Sequence, residues 1–148
     1  MLKILYFLIL LAASAEDIRH YTVRPRWIVA VGMVGFLNCI TKENRWVTMA
    51  LTCACFLFLF LFYKVIQWLA ARGKFAWAFG GADVRLIPGM MLAQGWDTAL
   101  EGIFMGLFCA VIYHVAVHRQ RKEIPLVPWM SAGCLLVELL LYFFAKWL

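Results

Sequence analysis

Residues 46–63, WVTMALTCACFLFLFLFY, run for 18 positions without a charged side chain. A helix needs about 20 apolar residues to cross the hydrocarbon core of a bilayer, with about 17 as the lower limit. The stretch carries on to residue 70 with only Lys64 and Gln67 interrupting it, so it reads as a transmembrane helix. Working outward, Pro, Gly and charged residues mark off five more apolar stretches, at 2–15, 27–40, 84–95, 98–117 and 127–147. The last two are long enough to span. The others are short and require extension by their neighbours, thinned lipid or burial inside a bundle. The sequence therefore predicts an all-α, polytopic membrane helix bundle of about six transmembrane helices, with 1–148 forming a single membrane-embedded domain.

Composition agrees with lipid as the main solvent. Apolar residues make up 66% of the chain and charged residues 15%, and the mean hydropathy is +0.85. A soluble domain keeps about 25% charged residues, so this chain lacks the charge to cover a water-facing surface. The net charge of +6 comes from 14 Lys and Arg gathered in short clusters between apolar runs. That pattern sets membrane orientation and excludes nucleic acid as a partner. Cys39, Cys53, Cys55, Cys109 and Cys134 all lie in apolar segments without the paired spacing of a zinc site, and they read as small hydrophobes. The seven tryptophans stand at or near segment ends, where amphipathic rings anchor at the interface.

Orientation follows from the basic residues. With the N-terminus outside and all six segments spanning, the inner side holds Arg19, Arg24, Arg26, Lys64, Arg72, Lys74, Arg85, Arg119, Arg121 and Lys122. The outer side holds Lys3, Lys42, Arg45 and Lys146. Ten against four obeys the positive-inside rule, and the same count puts Asp17 and Asp83 together on the inner face. The first segment has a second reading. Lys3, the apolar run 4–12 and Ala13-Ser14-Ala15 before Glu16 also fit a secretory signal with a small-residue cleavage site. Residues 1–15 are thus either a retained helix or a cleaved one.

Ionisable groups at the edge of membrane segments are costly and mark candidate sites. Glu43 and Glu123 fall among polar or basic neighbours and read as solvated. Asp97 reads as a cap for the fifth helix, with Glu101 one turn on at its positive end. Glu138 is mid-segment, either protonated or hydrogen-bonded across helices. His20 reads as interfacial. His114 and His118 have metal-compatible i, i+4 spacing but no glutamate near them in H-E-x-x-H form. Ser14 and Ser131 have no base partner, which speaks against a serine mechanism. Asp17 opens the polar stretch between the first two segments, and Asp83 closes Gly80-Gly81-Ala82-Asp83, where small residues permit close backbone approach.

Three motifs give these acids a context. Asp17 and Arg19, followed by Pro25, are similar to a D-x-R…I-P-N stretch, with Val23-Arg24-Pro25-Arg26 in place of Ile-Pro-Asn. Gly80-Gly81-Ala82-Asp83-Val84-Arg85-Leu86 is similar to G-x-G-D-(I/V)-K-L, with Ala for the second glycine and Arg85 for lysine. Lys122-Glu123-Ile124-Pro125-Leu126-Val127-Pro128 is similar to K-x-I-P-(F)-x-P. In this order the three resemble the prepilin (type IV leader) peptidase family of membrane aspartic peptidases of the GxGD type. About ten residues separate the first two segments, so the chain looks like the minimal form without the methyltransferase domain.

The resemblance implies an intramembrane aspartic endopeptidase, acting in type IV pilus biogenesis, that removes the cytoplasmic leader from prepilin or pilin-like precursors. Its catalytic pair would be Asp17 and Asp83. Gly80, Gly81, Ala82, Arg85, Arg19, Pro125 and Pro128 would support the motifs. It implies a prokaryotic inner membrane with the site at its cytoplasmic face, and a prepilin-like substrate and lipid as partners. No metal or organic cofactor is needed. Two close carboxylates cannot both ionise cheaply, so the pair should share one proton. Alanine at 82 suggests that the motif needs smallness there rather than a positive φ. Two other readings remain open from the residues: a non-enzymatic assembly or transport subunit in which Asp17 and Asp83 pair with Arg19 and Arg85, and a membrane thiol oxidoreductase using Cys53 and Cys55.

Overall fold

A computed structural model describes residues 2–72, 81–117 and 125–147. Among these residues there are six helices: α1 Leu2–His20, α2 Pro25–Ile40, α3 Arg45–Ala71, α4 Gly81–Gln94, α5 Trp96–Val117 and α6 Leu126–Trp147. Each expected segment is present, and the fold is the all-α bundle that the hydropathy implied.

The helix ends have local causes. No Pro or Gly falls between residue 15 and His20, so α1 runs past its apolar stretch and carries Glu16 and Asp17 in its last turns. It stops where Tyr21 takes a left-handed conformation at φ 52, with the Tyr21 N–H donating to the Asp17 carbonyl at 2.8 Å, as in a C-terminal cap. Arg24 is extended, as the residue before a proline must be, and Pro25 starts α2 at a position where its missing N–H costs nothing. One residue, Gly95 at φ 111, separates α4 from α5. A side chain there would be strained by the backbone and would also meet the Asp97 carboxylate.

Two pairs dominate the packing, α5 with α6 and α2 with α4. Helix α1 lies on both α6 and α2, and α3 rests mainly on α4. Helices α3, α5 and α6 are the three long and apolar enough to cross a membrane by length and composition. Length and burial run opposite ways. In α3 only 6% of the apolar window is buried, and Phe56, Phe58, Phe60 and Phe62 face outward. The short α4 is the centre of the core, with Val84, Leu86, Ile87, Met90, Met91 and Ala93 all buried. Tyr6 and Leu10 of α1, Val31 of α2 and Met130 of α6 close around it. Burial among neighbours lets α2 and α4 be shorter than a free span.

The α5–α6 crossing depends on absent side chains. A Cβ at Gly106 would run into the Trp129 carbonyl, one at Gly133 into the Gly102 carbonyl, and one at Gly102 into the Cys134 backbone. Small residues of this kind let membrane helices approach closely and gain dispersion energy. Gly106→Leu should therefore separate the two helices and lower stability by about 1–3 kcal/mol or more. Gly32→Ala, where nothing lies within 4 Å, should be neutral or mildly stabilising. The thermal unfolding midpoint of the detergent-solubilised variants checks both.

Candidate active site

Three helix ends meet at one end of the bundle: the last turns of α1 with Asp17, the first turn of α4 with Asp83, and the start of α6. Both aspartates stand just outside the apolar stretches 2–15 and 84–95, yet they are only 6% and 7% exposed. The first N–H groups of a helix have no partner within it. Pro125 stands just before α6 and Pro128 within its first turn, and neither has an N–H to offer. The Val127 N–H between them donates to Asp17 Oδ2 at 3.1 Å in a buried bond. Asp17 thus takes up a free donor at the positive end of α6, an arrangement that favours its ionised form.

The two acids are unequal. Burial raises the Asp17 carboxyl above its ordinary value, and the Val127 N–H pulls it back down. Burial pushes Asp83 up to about 7, and the charge of Asp17 adds to the rise. Both carboxyls are thus raised, Asp83 the more strongly, so the pair favours holding a proton near neutrality. Asp83 is the third residue of α4, inside its first turn rather than in a preceding loop. Ala82 is half-buried against the core cluster and helical, so no positive φ is demanded of it.

The other expected residues divide. Gly81 begins α4, while Gly80, Lys122, Glu123 and Ile124 lie outside the described residues, as does His118. Arg19 and Arg85 are exposed. Among the described residues neither forms an ion pair with Asp17 or Asp83, which removes the contact that the assembly-subunit reading required. Cys53 and Cys55 are both free on the outward-facing α3, Cys53 exposed and Cys55 half-buried. Glu138 bonds across helices to Lys3 at 2.9 Å, toward the opposite end of α1 from Asp17. No group of three metal-ligating side chains occurs among the described residues.

Two features escaped the sequence reading. Glu16 accepts from the Arg24 guanidinium at 2.8 Å and from the Arg24 N–H at 3.2 Å, with Arg26 at 3.8 Å. It ties the end of α1 to the start of α2 beside the site. The sign was available: an acid next to Asp17, followed by two arginines flanking a helix-starting proline. Ser14 and Ser131, set aside for want of a base, hydrogen-bond to each other at 3.1 Å, one turn into the bundle from Asp17 and Val127.

A helical membrane bundle that buries two carboxylates at one end, close enough for the charge of one to raise the other, holds groups suited to acid–base chemistry at the membrane surface. The model of the Type IV leader peptidase family matches residues 4–115, and the chain belongs to that family. No curated protein and no solved structure matches it. The chain is accordingly a membrane protein of a peptidase family. The match takes in Asp17, Asp83 and most of α1–α5 but stops short of α6, whose part in the site comes from the geometry alone.

The raised value of Asp83 has a stability consequence. The folded protein retains a proton there that the unfolded chain gives up near 3.8. Stability therefore falls as pH rises from about 4 to about 7, and the whole penalty is present above that window. Asp83→Asn removes it. The variant should be more stable than wild type near pH 8, on the order of a few kcal/mol, with the difference vanishing near pH 4. Unfolding of the detergent-solubilised protein at the two pH values measures this; a gain equal at both would remove Asp83 as the proton carrier.

Proposed function

We propose that this chain is an intramembrane aspartic endopeptidase that removes the cytoplasmic leader from prepilin or pilin-like precursors, with Asp17 and Asp83 as its catalytic pair. The reading is carried by one observation: in a member of a leader-peptidase family, the two motif aspartates are buried together, with the charge of one raising the other. Asp17, ionised and held by the Val127 N–H, takes a proton from water as the water oxygen bonds to the scissile carbonyl carbon. Asp83 gives its proton to the carbonyl oxygen, leaving a neutral diol. In the second half Asp17 passes its proton to the amide nitrogen as the C–N bond breaks. Asp83 recovers a proton from a diol hydroxyl as the new carboxyl forms. One water is consumed and both residues return to their starting states.

The ten-to-four distribution of basic residues supports a site at the cytoplasmic face, and membership of the leader-peptidase family supports a prokaryotic inner membrane. That face is itself basic, so charge does not recruit a basic leader. Affinity comes from the apolar helix of the substrate, met within the bilayer. The pair needs no metal or organic cofactor.

Asp17→Asn and Asp83→Asn should each abolish processing of a co-expressed prepilin, read as a failure of the pilin to shorten, while the protein still inserts and accumulates. Processing at the wild-type level by either variant refutes the pairing. Ala82 packs against the core from the first turn of α4, next to Asp83, so size is what it must supply. Ala82→Gly should keep most activity, whereas Ala82→Leu should reduce processing at least tenfold at matched protein levels, the scale expected when reacting groups are displaced by about 1 Å. An active leucine variant would show that the space is unconstrained.

A further inference from the structure

The α1–α6 seam holds a groove of about 380 Å³. Phe7, Leu11 and Ile18 line it from α1, and Pro128 and Leu135 from α6. Its walls are apolar and its polar lining is the buried pair Ser14 and Ser131. From Phe7 to Ile18 the groove follows α1 for roughly 16 Å, about half the hydrocarbon core. Its lining reaches Ile18 and Pro128, the chain neighbours of Asp17 and Val127, so its end lies at the level of the Asp17–Val127 bond.

The serine pair has capacity to spare. Two hydroxyls carry two donor protons and four lone pairs. The bond between them uses one of each, and neither makes another bond among the described residues. A membrane helix, by contrast, has every backbone group satisfied internally. To be cut it must open near the scissile bond, and the N–H and C=O groups so released on the bilayer side of that bond lose their partners within the helix. Hydroxyls one turn below a catalytic carboxylate are where such groups would need partners.

We infer that the Ser14–Ser131 groove seats the apolar segment that follows the scissile bond, and that the two hydroxyls hydrogen-bond its backbone where it unwinds toward Asp17. The inference rests on the peptidase reading above. It deepens that reading by naming the subsite and the residues that hold the opened chain. The larger groove between α5 and α6, about 840 Å³, is the poorer seat. On α6 it begins at Val137, ten residues beyond Val127 and roughly 15 Å from the aspartates along the helix.

The test uses the full-length protein in lipid bilayers and a synthetic peptide with a basic leader ending in glycine followed by an apolar helix. Ser14→Ala, Ser131→Ala and the double variant are compared. If the pair only holds α1 to α6, each single change orphans a hydroxyl and the double change relieves it, so the double variant is the mildest. If the pair serves the substrate, the double variant is the worst. The bonds form only after the helix opens, so they should appear in kcat rather than KM. We expect kcat to fall about tenfold for each single change and further for the double, with KM within about twofold. A photo-crosslinking residue replacing Leu11 or Leu135 in the Asp83→Asn background should capture the peptide, and one replacing Phe104 or Phe144 should not. The groove assignment is overturned by a double variant that is as active as wild type or milder than the singles. It is equally overturned by capture from Phe104 and Phe144 alone, or by capture of phospholipid in place of peptide at Leu11 and Leu135. In those cases the Asp17→Asn and Asp83→Asn losses still stand, and the peptidase reading survives. A wild-type protein that leaves both the peptide and co-expressed prepilins uncut overturns the two together.

Discussion

A carboxylate shut away from water must either find donors or take up a proton, and this bundle does one for each of its two buried acids. Asp17 finds a donor, the Val127 N–H at the open end of α6. Asp83 is pushed toward its protonated form, because burial and the neighbouring charge both disfavour ionisation. Each solution depends on the other. Without that donor the Asp17 carboxyl would rise further and the difference between the two acids would narrow. The bond from Val127 is therefore more than a helix contact; it offsets part of the cost of burying Asp17 and so favours that carboxyl as the one that ionises.

That bond explains much of the surrounding architecture. Helix α6 has to begin at the level where α1 ends, and Pro125 and Pro128 bracket its start so that Val127 presents its N–H. Helix α1 has to continue as a helix beyond its apolar stretch, or Asp17 would hang in a loop. Glu16 steadies this extension by holding Arg24 and the entry to α2. Helix α4 has to carry Asp83 in beside Asp17 while surrounded by neighbours, which is why it is short, apolar and almost wholly buried. The long helices α3, α5 and α6 present the greasy perimeter instead.

How much of this was legible in the sequence depends on whether the signal was local. The six apolar segments were, because hydropathy over a single run is enough to find them. The placing of Asp17 and Asp83 on one face was too, since alternating spans and a count of Lys and Arg require no contacts. The extension of α1 was less so: hydropathy ends at residue 15, whereas a helix ends only where the backbone is stopped, at Tyr21. Ser14 and Ser131 were invisible as a pair, being far apart in the chain and individually ordinary. The closeness of α5 to α6 at Gly102, Gly106 and Gly133 was likewise hidden, since small residues have meaning only against a partner. Glu138 was ambiguous until Lys3 was seen opposite it.

Seen together, the contacts between α1 and α6 form a ladder. Val127, Ser131 and Glu138 are spaced by four and seven residues, so they share one face of α6. Asp17, Ser14 and Lys3 are spaced by three and eleven, so they share one face of α1. Three rungs link the antiparallel pair: Asp17 with Val127, Ser14 with Ser131, and Lys3 with Glu138. Between helices surrounded by lipid, apolar packing alone discriminates poorly among registers, because lipid tails are as apolar as leucine. The two buried rungs discriminate sharply, since a slip of one residue would part the Val127 N–H from Asp17 and Ser14 from Ser131. The rung farthest from the aspartates, Lys3 with Glu138, is more exposed, so it adds a weaker tie at the far end of the same seam and leaves the register to the buried pairs.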